Sequence, residues 1–553
     1  MVPVVPCPMK PYPILSLVPF LLLATAAPAA PDAPSSDGIP RLERHGTASR
    51  LVVDGKPFLI VGGELLNSSS SSREHMRSEW ERVASTPLNT VLTPVSWDMI
   101  EPEEGHFDFS LVDGLISDAR PHNLHLVLLW LASWKNGMSC YAPIWVKRDF
   151  ERFPRVPGAD GSGRELLSTL GEASRDADAA AFAALMRHLR SVDGSDHTVL
   201  MVQVENEVGI LGDSRDRSAA ADRAFAGQMP GDLLGYLRDH KGSLAPELRG
   251  VLNAAGARDS GTWAQVFGSG PAADEIFMAW NYARYVGAVA AAGKTEYPIP
   301  LYANAWLRQP YFPLPGTYPS GGPQAGLIDV WRAAAPAIDI FAPDLYGPDF
   351  RDWCAKYARN GNPLFLPETE SGKPGAAHVF YALGQWGALG FSPFGIDRPL
   401  DLFGPKMGPE LGRSYSVVLQ LSPLILEHQG MGEMTGFLLD KDHPTASAEI
   451  GGYRLDIALD SIFGHSAEEG HGLVIATGPG EFVGAGTGFM VRFTPESAGP
   501  PLAGLGRVEE GTYEEGAWVP GRRLNGDETD QGQHWRFPFW ATGIQRCTVY
   551  RYR

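Results

Sequence analysis

The feature that most constrains the fold is a regular alternation that begins near Leu59 and ends near residue 400. Short apolar runs rich in β-branched residues alternate with segments of helical periodicity, which is typical of a parallel sheet with crossover helices. The apolar runs predict eight strands: Leu59–Leu66, Thr90–Trp97, His125–Trp134, Val199–Glu205, Ile299–Trp306, Ile338–Tyr346, Pro363–Glu368 and Ala388–Gly395. The segments between them predict helices at Glu74–Ala84, Leu111–Ala119, Ala179–Ser191, Gly231–Asp239, Leu327–Ala335, Phe350–Arg359 and Ala376–Trp386.

The number of these units decides between two architectures. Eight βα units predict an α/β fold in the form of a (β/α)8 TIM barrel over residues 45–418. The competing doubly wound sheet would place a glycine-rich phosphate turn after its first strand. The segment Val61-Gly62-Gly63-Glu64 in the first apolar run lacks that pattern. We therefore expect the barrel.

The pattern changes after about Leu419, where helical segments become rare and glycine becomes frequent. Short apolar runs separated by turn residues predict a smaller all-β, sandwich-like domain over residues 419–553. Its predicted strands are Gly451–Ala458, Leu473–Ala476, Phe482–Val483, Gly488–Phe493, Thr512–Pro520, Trp535–Ala541 and Thr548–Tyr552.

The first 30 residues have the pattern of a secretory signal peptide. Lys10 precedes an apolar run from Ile14 to Ala27, and small residues including Ala29 follow. An N-terminal membrane anchor is the alternative, but the run is shorter than the ~20 residues that a span needs. We expect a signal peptide at 1–30, a flexible leader at 31–44, and an exported periplasmic or extracellular protein without a membrane span.

The charge balance narrows the class of partner. The chain has 46 Lys and Arg against 64 Asp and Glu, a formal net charge of −18. This excess of acid argues against a nucleic-acid partner and against an anionic membrane surface, both of which require a basic footprint. A neutral, hydroxyl-rich ligand such as a carbohydrate is compatible with it.

The cysteines do not indicate a metal or a disulfide scaffold. Without the signal peptide, Cys140, Cys354 and Cys547 remain, and none lies in a pattern with metal-ligand spacing. One disulfide with a free thiol and three separate thiols are both open. We expect no metal and no cofactor.

Two of the predicted strands end in carboxylates. Glu205-Asn206-Glu207 follows the fourth strand, and Glu368 ends the seventh. Catalytic groups of a (β/α)8 barrel lie at the carboxyl ends of its strands. A carboxylate beside a buried strand is costly unless it is paired or used. Two such groups across a barrel mouth are what glycoside hydrolysis requires, although a rim salt bridge is the alternative for each.

These segments resemble glycoside hydrolase family 35, the β-galactosidases. Val202–Gly209 (VQVENEVG) is similar to the family's VQ[VI]ENEYG segment, Thr93–Phe109 to its second-strand motif, and Pro363–Glu368 to its nucleophile strand. The resemblance covers about residues 45 to 400. The tail resembles the small β domain of a bacterial subgroup, some members of which act on xyloglucan side chains.

The resemblance implies a role for each residue of the motifs. It makes Glu207 the general acid/base, Glu368 the nucleophile, and Asn206 a ligand of the sugar 2-hydroxyl. Glu205 is the competing acid, and we expect it to point the other way along the strand or to help a neighbour. Glu370 competes with Glu368, since residues two apart in extended backbone share a face.

The third-strand motif departs from the family pattern. The residues that touch the galactose 4- and 6-hydroxyls in the family are replaced here. Asn136 or Ser133 takes the place of an acidic sugar contact, depending on how the motif is aligned, and either side chain can bind hydroxyls. Pro94 replaces a second-strand tyrosine. The reaction type follows from the resemblance, and the exact sugar stays open.

Further binding residues are predicted at the ends of other strands. Trp97, Trp134 and Trp306 end strands two, three and five, where a stacking platform and ordinary packing are both open. Asn304 and Tyr346 close strands five and six, and a tyrosine there can donate a hydrogen bond that keeps the nucleophile ionised. The aromatic residues of the C-terminal region favour a sandwich core over a carbohydrate-binding strip: Trp535, Phe537, Phe539 and Trp540.

Together these features predict a secreted, retaining exo-β-galactosidase. Retention requires the carboxyl groups of Glu207 and Glu368 to lie about 5–5.5 Å apart. One alternative is a glycosidase of the same clan that prefers another sugar, such as a β-glucoside or β-arabinoside. The other is a catalytically inactive carbohydrate-binding protein. The sequence gives no indication of the oligomeric state.

Overall fold

The computed structural model describes Met1, Pro3 and residues 38–158, 160–398, 407–462 and 464–553. The predicted signal peptide and most of the predicted leader lie outside the described residues. Residues from Gly38 to Arg553 form one unit. Within the described residues, no helix combines the length and apolar character that crossing a bilayer requires.

The N-terminal part of this unit contains strands and helices in alternation. Its strands are β1 (Arg41–His45), β2 (Ala48–Val53), β3 (Lys56–Phe58), β4 (Ile60–Glu64), β5 (Thr90–Ser96), β6 (His125–Lys135), β7 (Arg155–Pro157), β8 (Gly163–Leu167), β9 (Val199–Asn206), β10 (Leu301–Trp306), β11 (Ile340–Leu345), β12 (Leu366–Thr369) and β13 (Gly390–Pro393). Its helices are α1 (Arg73–Ala84), α2 (Trp97–Ile100), α3 (Ser110–Ala119), α4 (Ile144–Arg148), α5 (Glu172–Asp193), α6 (Ala219–Ala226), α7 (Gly231–Asp239), α8 (Pro246–Ala254), α9 (Trp263–Phe267), α10 (Pro271–Glu296), α11 (Ile328–Ala334), α12 (Phe350–Tyr357), α13 (Gly372–Trp386) and α14 (Gly408–His428).

Eight of these strands close into a parallel barrel in the order β10-β11-β12-β13-β4-β5-β6-β9. Each overlaps one predicted strand, so the predicted (β/α)8 fold is confirmed. Alternate strand residues point into the barrel and toward the helices, because side chains alternate in direction along a strand. Leu92, Val127 and Leu129 thus belong to one apolar cluster, and Val91 and Leu128 belong to another that includes the helices.

Two features around the barrel differ from the prediction. β1, β2 and β3 form a small antiparallel sheet before the barrel, so the predicted leader at 31–44 overlaps a strand that begins at Arg41. The 26-residue helix α10 was not predicted. It is buried on several sides, so its apolar residues do not follow one helical face.

The C-terminal part consists of strands. They are β14 (Met434–Leu439), β15 (Thr445–Ile450), β16 (Tyr453–Leu459), β17 (Ser461–Ile462), β18 (His465–Ser466), β19 (Gly470–Gly478), β20 (Glu481–Thr487), β21 (Phe489–Pro495), β22 (Leu502–Glu514), β23 (Ala517–Leu524), β24 (Trp535–Phe537) and β25 (Gly543–Tyr552). One antiparallel sheet has the order β14-β19-β20-β25-β22-β23 and another the order β15-β16-β21-β24. Phe437, Leu455 and Trp535 lie in one apolar core that both sheets share, as in a sandwich.

Two boundaries in this part of the chain also differ from those predicted from the sequence. α14 extends across residue 419 to His428, so the predicted domain boundary falls inside a helix. The predicted strand Thr512–Pro520 is the tip of the β22–β23 hairpin. The chain turns there at Glu515 and Gly516, both of which have positive φ.

The strand-rich part packs directly on the barrel through α13. A Cβ added to Gly384 of α13 would lie 2.8 Å from the Cα of Gly436 in β14, so only glycine permits this approach of helix to strand. Arg351 and Asp440 form an ion pair of 3.0 Å across the same boundary. The three cysteines discussed above are separate thiols, of which Cys140 is exposed.

Candidate active site

Four buried carboxyl groups converge at the carboxyl ends of the barrel strands. Glu64 ends β4, Asp344 lies in β11, Glu368 lies in β12, and Glu207 directly follows β9. We call these four the mouth carboxyls. One carboxylate oxygen each of Glu207, Asp344 and Glu368 lies within 4.8 Å of the other two. The structure therefore brings the two predicted catalytic glutamates together and adds two acids that were not predicted.

The backbone around Glu207 is held in an unusual conformation. Glu205 has a φ of 62° and Glu207 a φ of 45°, in the left-handed region that non-glycine residues rarely adopt. The Glu207 N–H donates to Asn304 Oδ1 at 2.9 Å, and Asn304 Nδ2 donates to Asp344 at 2.6 Å. Such strain persists only where surrounding contacts enforce it. Asn304, predicted to bind substrate, here positions two of the mouth carboxyls.

The Glu207 carboxyl has a pKa near neutral pH, so both its protonated and its charged form are accessible there. Burial raises its pKa to about 7, and the charge of Glu368 contributes to the rise. The opposing influences are smaller and include the charge of Lys135 and a hydrogen bond from Asn136 Nδ2 to Glu207 Oε2. A group with this pKa can donate a proton and later take one back at the same pH.

Glu368 has the partners that favour its charged form. Its Oε1 accepts a hydrogen bond of 2.7 Å from the hydroxyl of Tyr346, the contact that the sequence predicted. Burial raises the pKa of Glu368, while the charge of Lys135 and the Tyr346 hydrogen bond lower it. Since the charge of Glu368 in turn raises the pKa of Glu207, Glu368 is the first of the two to ionise.

The other two mouth carboxyls present unsatisfied acceptors. Burial raises the pKa of Glu64 and of Asp344 well above the ordinary range, and in both the charge of Glu368 is the next cause. Glu64 Oε1 and Asp344 Oδ1 are buried without a hydrogen-bond partner among the described residues. A buried oxygen without a partner is costly, so both atoms are suited to receive the hydroxyls of a ligand.

Three of the four mouth carboxyls also have the spacing of a cation site. Glu207, Asp344 and Glu368 form the one group of this kind found among the residues that the structure describes. The absence of a metal was a prediction from sequence, and it stays a prediction.

Lys135 is a member of the site that sequence analysis missed. It ends β6, is 8% exposed, and donates a hydrogen bond of 2.9 Å from Nζ to Asn206 Oδ1. Its charge lowers the pKa values of Glu64, Glu207 and Glu368. Asn206 was predicted to bind the sugar 2-hydroxyl. Its amide nitrogen has no hydrogen-bond partner among the described residues, so it retains donors for a ligand.

Glu205 lies on the other side of the barrel wall. Its carboxyl oxygens accept the backbone N–H groups of Ser133 at 3.1 Å and Trp134 at 2.7 Å. Burial, and next the charge of Asp178 on α5, raise its pKa well above the ordinary value. Ser133 donates to Asp178 at 2.6 Å. Ser133 therefore faces the helix layer, and of the two alignments only the one that selects Asn136 leads to the mouth carboxyls.

Three further candidates from the sequence have partners within the fold: the possible stacking residues Trp97 and Trp134, and Glu370, the competitor of Glu368. Trp97 and Trp134 are fully buried, and their indole nitrogens donate to Glu101 and to the Leu167 carbonyl. Neither offers a face to a ligand, so the predicted stacking platform is corrected for these two. Glu370 instead accepts the Gly347 N–H at 3.0 Å.

Trp306 is the remaining tryptophan of the predicted platform. It is partly exposed at the end of β10, so a stacking role stays open for it. Its position follows Asn304 by two residues on the same strand, so both lie on one face.

The comparisons with known proteins were consistent with a glycosidase barrel. Residues 66–238 match the family model of glycoside hydrolase family 42, described as "Beta-galactosidase", and residues 411–536 match a domain of unknown function, DUF5597. A curated "Beta-galactosidase" of Xanthomonas manihotis is 30% identical over 220 residues, which cover 37% of this chain. The match spans only 32% of that relative's length. This part of the barrel is therefore similar in sequence to β-galactosidases, and the matches do not single out family 35.

Solved structures resemble the chain at low identity. The cold-adapted β-galactosidase from Rahnella sp. R3 is 17% identical with a TM-score of 0.43, covering 66% of this chain and 57% of that one. The catalytic domain of the β-amylase from Paenibacillus polymyxa is 12% identical with a TM-score of 0.42, covering 64% and 94%.

Proposed function

We propose that the chain is an exported, retaining exo-β-galactosidase. The observation that carries the proposal is the pairing of Glu207 and Glu368, whose nearest oxygens lie within 4.8 Å and whose surroundings favour opposite protonation states. Inverting enzymes need about 6.5–9.5 Å between the two carboxyl groups to admit a water molecule, so the spacing favours double displacement.

In the first step a carboxylate oxygen of Glu368 attacks the anomeric carbon. The bond to the leaving oxygen breaks as that oxygen takes the proton of Glu207. Tyr346 donates to Glu368 and keeps it ionised before attack. In the second step the Glu207 carboxylate takes a proton from water, whose oxygen bonds to the anomeric carbon and expels Glu368. The sugar is released with its original configuration.

Exo specificity, galactose as the sugar and export are each supported by a separate observation. Glu207 and Glu368 are only 6% and 9% exposed, which suits a pocket for a terminal sugar better than an open cleft. Galactose as that sugar is supported by the "Beta-galactosidase" family model that matches residues 66–238 and by the curated relative of the same description. Xyloglucan side chains as its source are suggested by the resemblance of the C-terminal region to the β domain of a bacterial subgroup. Export follows from the pattern of the first 30 residues.

A panel of nitrophenyl glycosides tests the sugar preference. We expect the β-galactoside to be hydrolysed with the highest kcat/KM, and a clear preference for a β-glucoside or β-arabinoside would contradict that part of the proposal. Proton NMR of the first product formed tests the stereochemistry. Initial release of β-galactose supports retention, and initial release of the α-anomer would exclude it.

A further inference from the structure

The end of β25 carries an exposed aromatic pair that the proposed hydrolysis does not use. Tyr550 and Tyr552 are 53% and 43% exposed. Residues two apart in a strand share a face, and the two ring centroids lie 5.7 Å apart with planes inclined by 35°. Contiguous exposed apolar surface that is bordered by polar residues is typical of a binding site.

The Tyr550 ring is supported by glycines on the adjacent strand. Gly504 of β22 is its register partner, and a Cβ added to Gly504 would lie 2.7 Å from the Tyr550 Cζ. A Cβ added to Gly506 would lie 3.7 Å from the Tyr550 Cδ1. The ring therefore lies along two glycines of β22, and its exposed part faces solvent. It is a fixed platform rather than a free side chain.

The two tyrosines line a cavity with a volume of about 440 Å³. Polar side chains also line it, among them Arg492, Gln533 and His534. Ligand pockets commonly measure about 300–1,000 Å³. The side chains of Arg492 and Gln533 make no hydrogen bond with the residues that the structure describes. His534 Nδ1 contacts Asp530 at 2.8 Å, which leaves Nε2 available.

The loop that presents Gln533 and His534 is fixed before any ligand binds. The Gln531 N–H donates to the Gly526 carbonyl at 2.8 Å, and the His534 N–H donates to the Thr529 carbonyl at 3.1 Å. The buried Arg536 donates to the Asp527 carbonyl at 2.9 Å. Because the backbone of this loop is already held in place, a ligand would bind without the cost of ordering the loop.

We propose that this Tyr550–Tyr552 cavity binds a neutral glycan. The C–H face of a pyranose ring is attracted to the electron-rich face of an aromatic ring, and its hydroxyls need both donors and acceptors. The tyrosines supply the faces, and Arg492, Gln533 and His534 supply the polar atoms. Asp456 is the register partner of Arg492 and Asp530 contacts His534, so each of the two basic residues has an acidic neighbour.

The cavity is built by the C-terminal strands, and the mouth carboxyls lie at the barrel strand ends, so binding does not depend on the proposed hydrolysis. A second glycan contact on the same chain would raise the effective concentration of the polymer ends near the barrel mouth.

Affinity electrophoresis of the full chain tests this proposal. The Glu368→Gln variant prevents turnover, and the gels contain galactoxyloglucan, β-1,4-galactan, arabinogalactan, galactomannan or the anionic polygalacturonate. We expect at least one neutral polysaccharide to retard the variant. Adding Tyr550→Ala and Tyr552→Ala should weaken that retardation at least tenfold, and adding Gly504→Val should weaken it by displacing the ring. Trp540→Ala is the matched control, because Trp540 is 65% exposed in the same domain and outside the cavity lining.

The outcomes separate this proposal from the proposed function. The proposal would be overturned if retardation survived the tyrosine substitutions or if Trp540→Ala removed it equally. It would also be overturned if only polygalacturonate, or no polymer at all, retarded the chain. In the otherwise unsubstituted chain, the tyrosine substitutions should leave kcat and KM for a nitrophenyl β-galactoside unchanged. A chain that binds polymer but hydrolyses no glycoside would contradict the proposed function alone.

Discussion

Two groups of buried acids lie on opposite sides of the same barrel wall. The mouth carboxyls face one another at the strand ends, and two of them, Glu64 and Asp344, keep an oxygen without a partner among the described residues. Glu205 and Asp178 lie behind the wall, where Glu205 accepts two backbone N–H groups and Asp178 accepts from Trp130 and Ser133. Burial is the first cause of the raised pKa in both groups.

The comparison shows that burial and a shifted pKa do not by themselves identify a catalytic acid. Glu205 and Glu207 are two residues apart in one motif, and both have raised pKa values. What differs is the partners. Glu205 accepts two backbone N–H groups of the barrel wall, whereas Glu207 accepts from the Asn136 side chain and lies at the barrel mouth beside Glu368. Structural acids and catalytic acids can therefore be separated by their partners, and substitutions in each group should have different consequences.

The largest effect should follow Glu368→Gln. Without a carboxylate no covalent intermediate forms, so kcat should fall by on the order of 10⁵–10⁶ for every β-galactoside tested. Steady-state kinetics with an aryl substrate and a disaccharide measure the loss. Unchanged circular dichroism and melting temperature are the control, and a variant that keeps a tenth of its activity would contradict the assignment.

Glu207→Ala should have a smaller effect that depends on the leaving group. Loss of the general acid should slow substrates with poor leaving groups by roughly 10²–10⁴-fold. The first step should be spared for activated aryl glycosides, and added azide should restore turnover by attacking the glycosyl-enzyme in place of water. Azide rescue in Glu205→Ala, with none in Glu207→Ala, would show that Glu205 is the acid.

Glu205→Ala should affect stability more than chemistry. The buried N–H groups of Ser133 and Trp134 would lose their acceptor, which should lower the free energy of unfolding by about 2–5 kcal/mol. Glu205→Gln keeps an acceptor and should lower it less. Urea unfolding measures both, and a stable Glu205→Ala variant with the turnover loss of Glu207→Ala would contradict the structural role.

The same urea experiment has an expected pH dependence. The folded protein holds the Glu205 proton more tightly than the unfolded chain does, because the folded pKa is the higher one. This contribution to stability is therefore complete below the ordinary carboxyl pKa and is lost as pH rises through the folded pKa. Glu205→Gln should flatten that decline.

The smallest effect concerns the pH profile of catalysis. Glu207 must be protonated for the first step, and its pKa is about 7, so kcat/KM for an unactivated substrate should fall as pH rises above that value. The expected slope is about tenfold per pH unit. In Glu207→Ala with an activated aryl glycoside the basic limb should disappear, and its persistence would assign it to another group.

The sequence allowed much of the barrel to be predicted, because its strands are short, continuous apolar runs. All eight were found, and the motif residues Glu207 and Glu368 meet as expected. α10 escaped prediction because a helix buried on several sides has no single apolar face. The predicted boundary at residue 419 falls inside α14, because the helical pattern continues to His428.

The rest of the site depends on contacts that no local pattern records. Glu64 and Asp344 resemble any acid near a strand end, and only closure of the barrel places them beside Glu368. Lys135 ends an apolar run, and a charged residue at that position was a usable signal of a functional role. Its hydrogen bond to Asn206 joins two different strands, so the sequence of either strand alone does not reveal it. For Trp97 and Trp134, position at a strand end did not reveal that both rings turn into the core.

Trapping the covalent intermediate tests the central claim most directly. The protein is incubated with a 2-deoxy-2-fluoro-β-galactoside that carries a good leaving group. The fluorine slows both steps, and the leaving group keeps the first step fast enough for the intermediate to accumulate. Digestion and tandem mass spectrometry then locate the added sugar. We predict one fluorogalactosyl group per chain, attached to Glu368 and absent in Glu368→Gln. A label on Glu205, Glu207 or Asp344, or turnover of the reagent without any covalent adduct, would contradict the account.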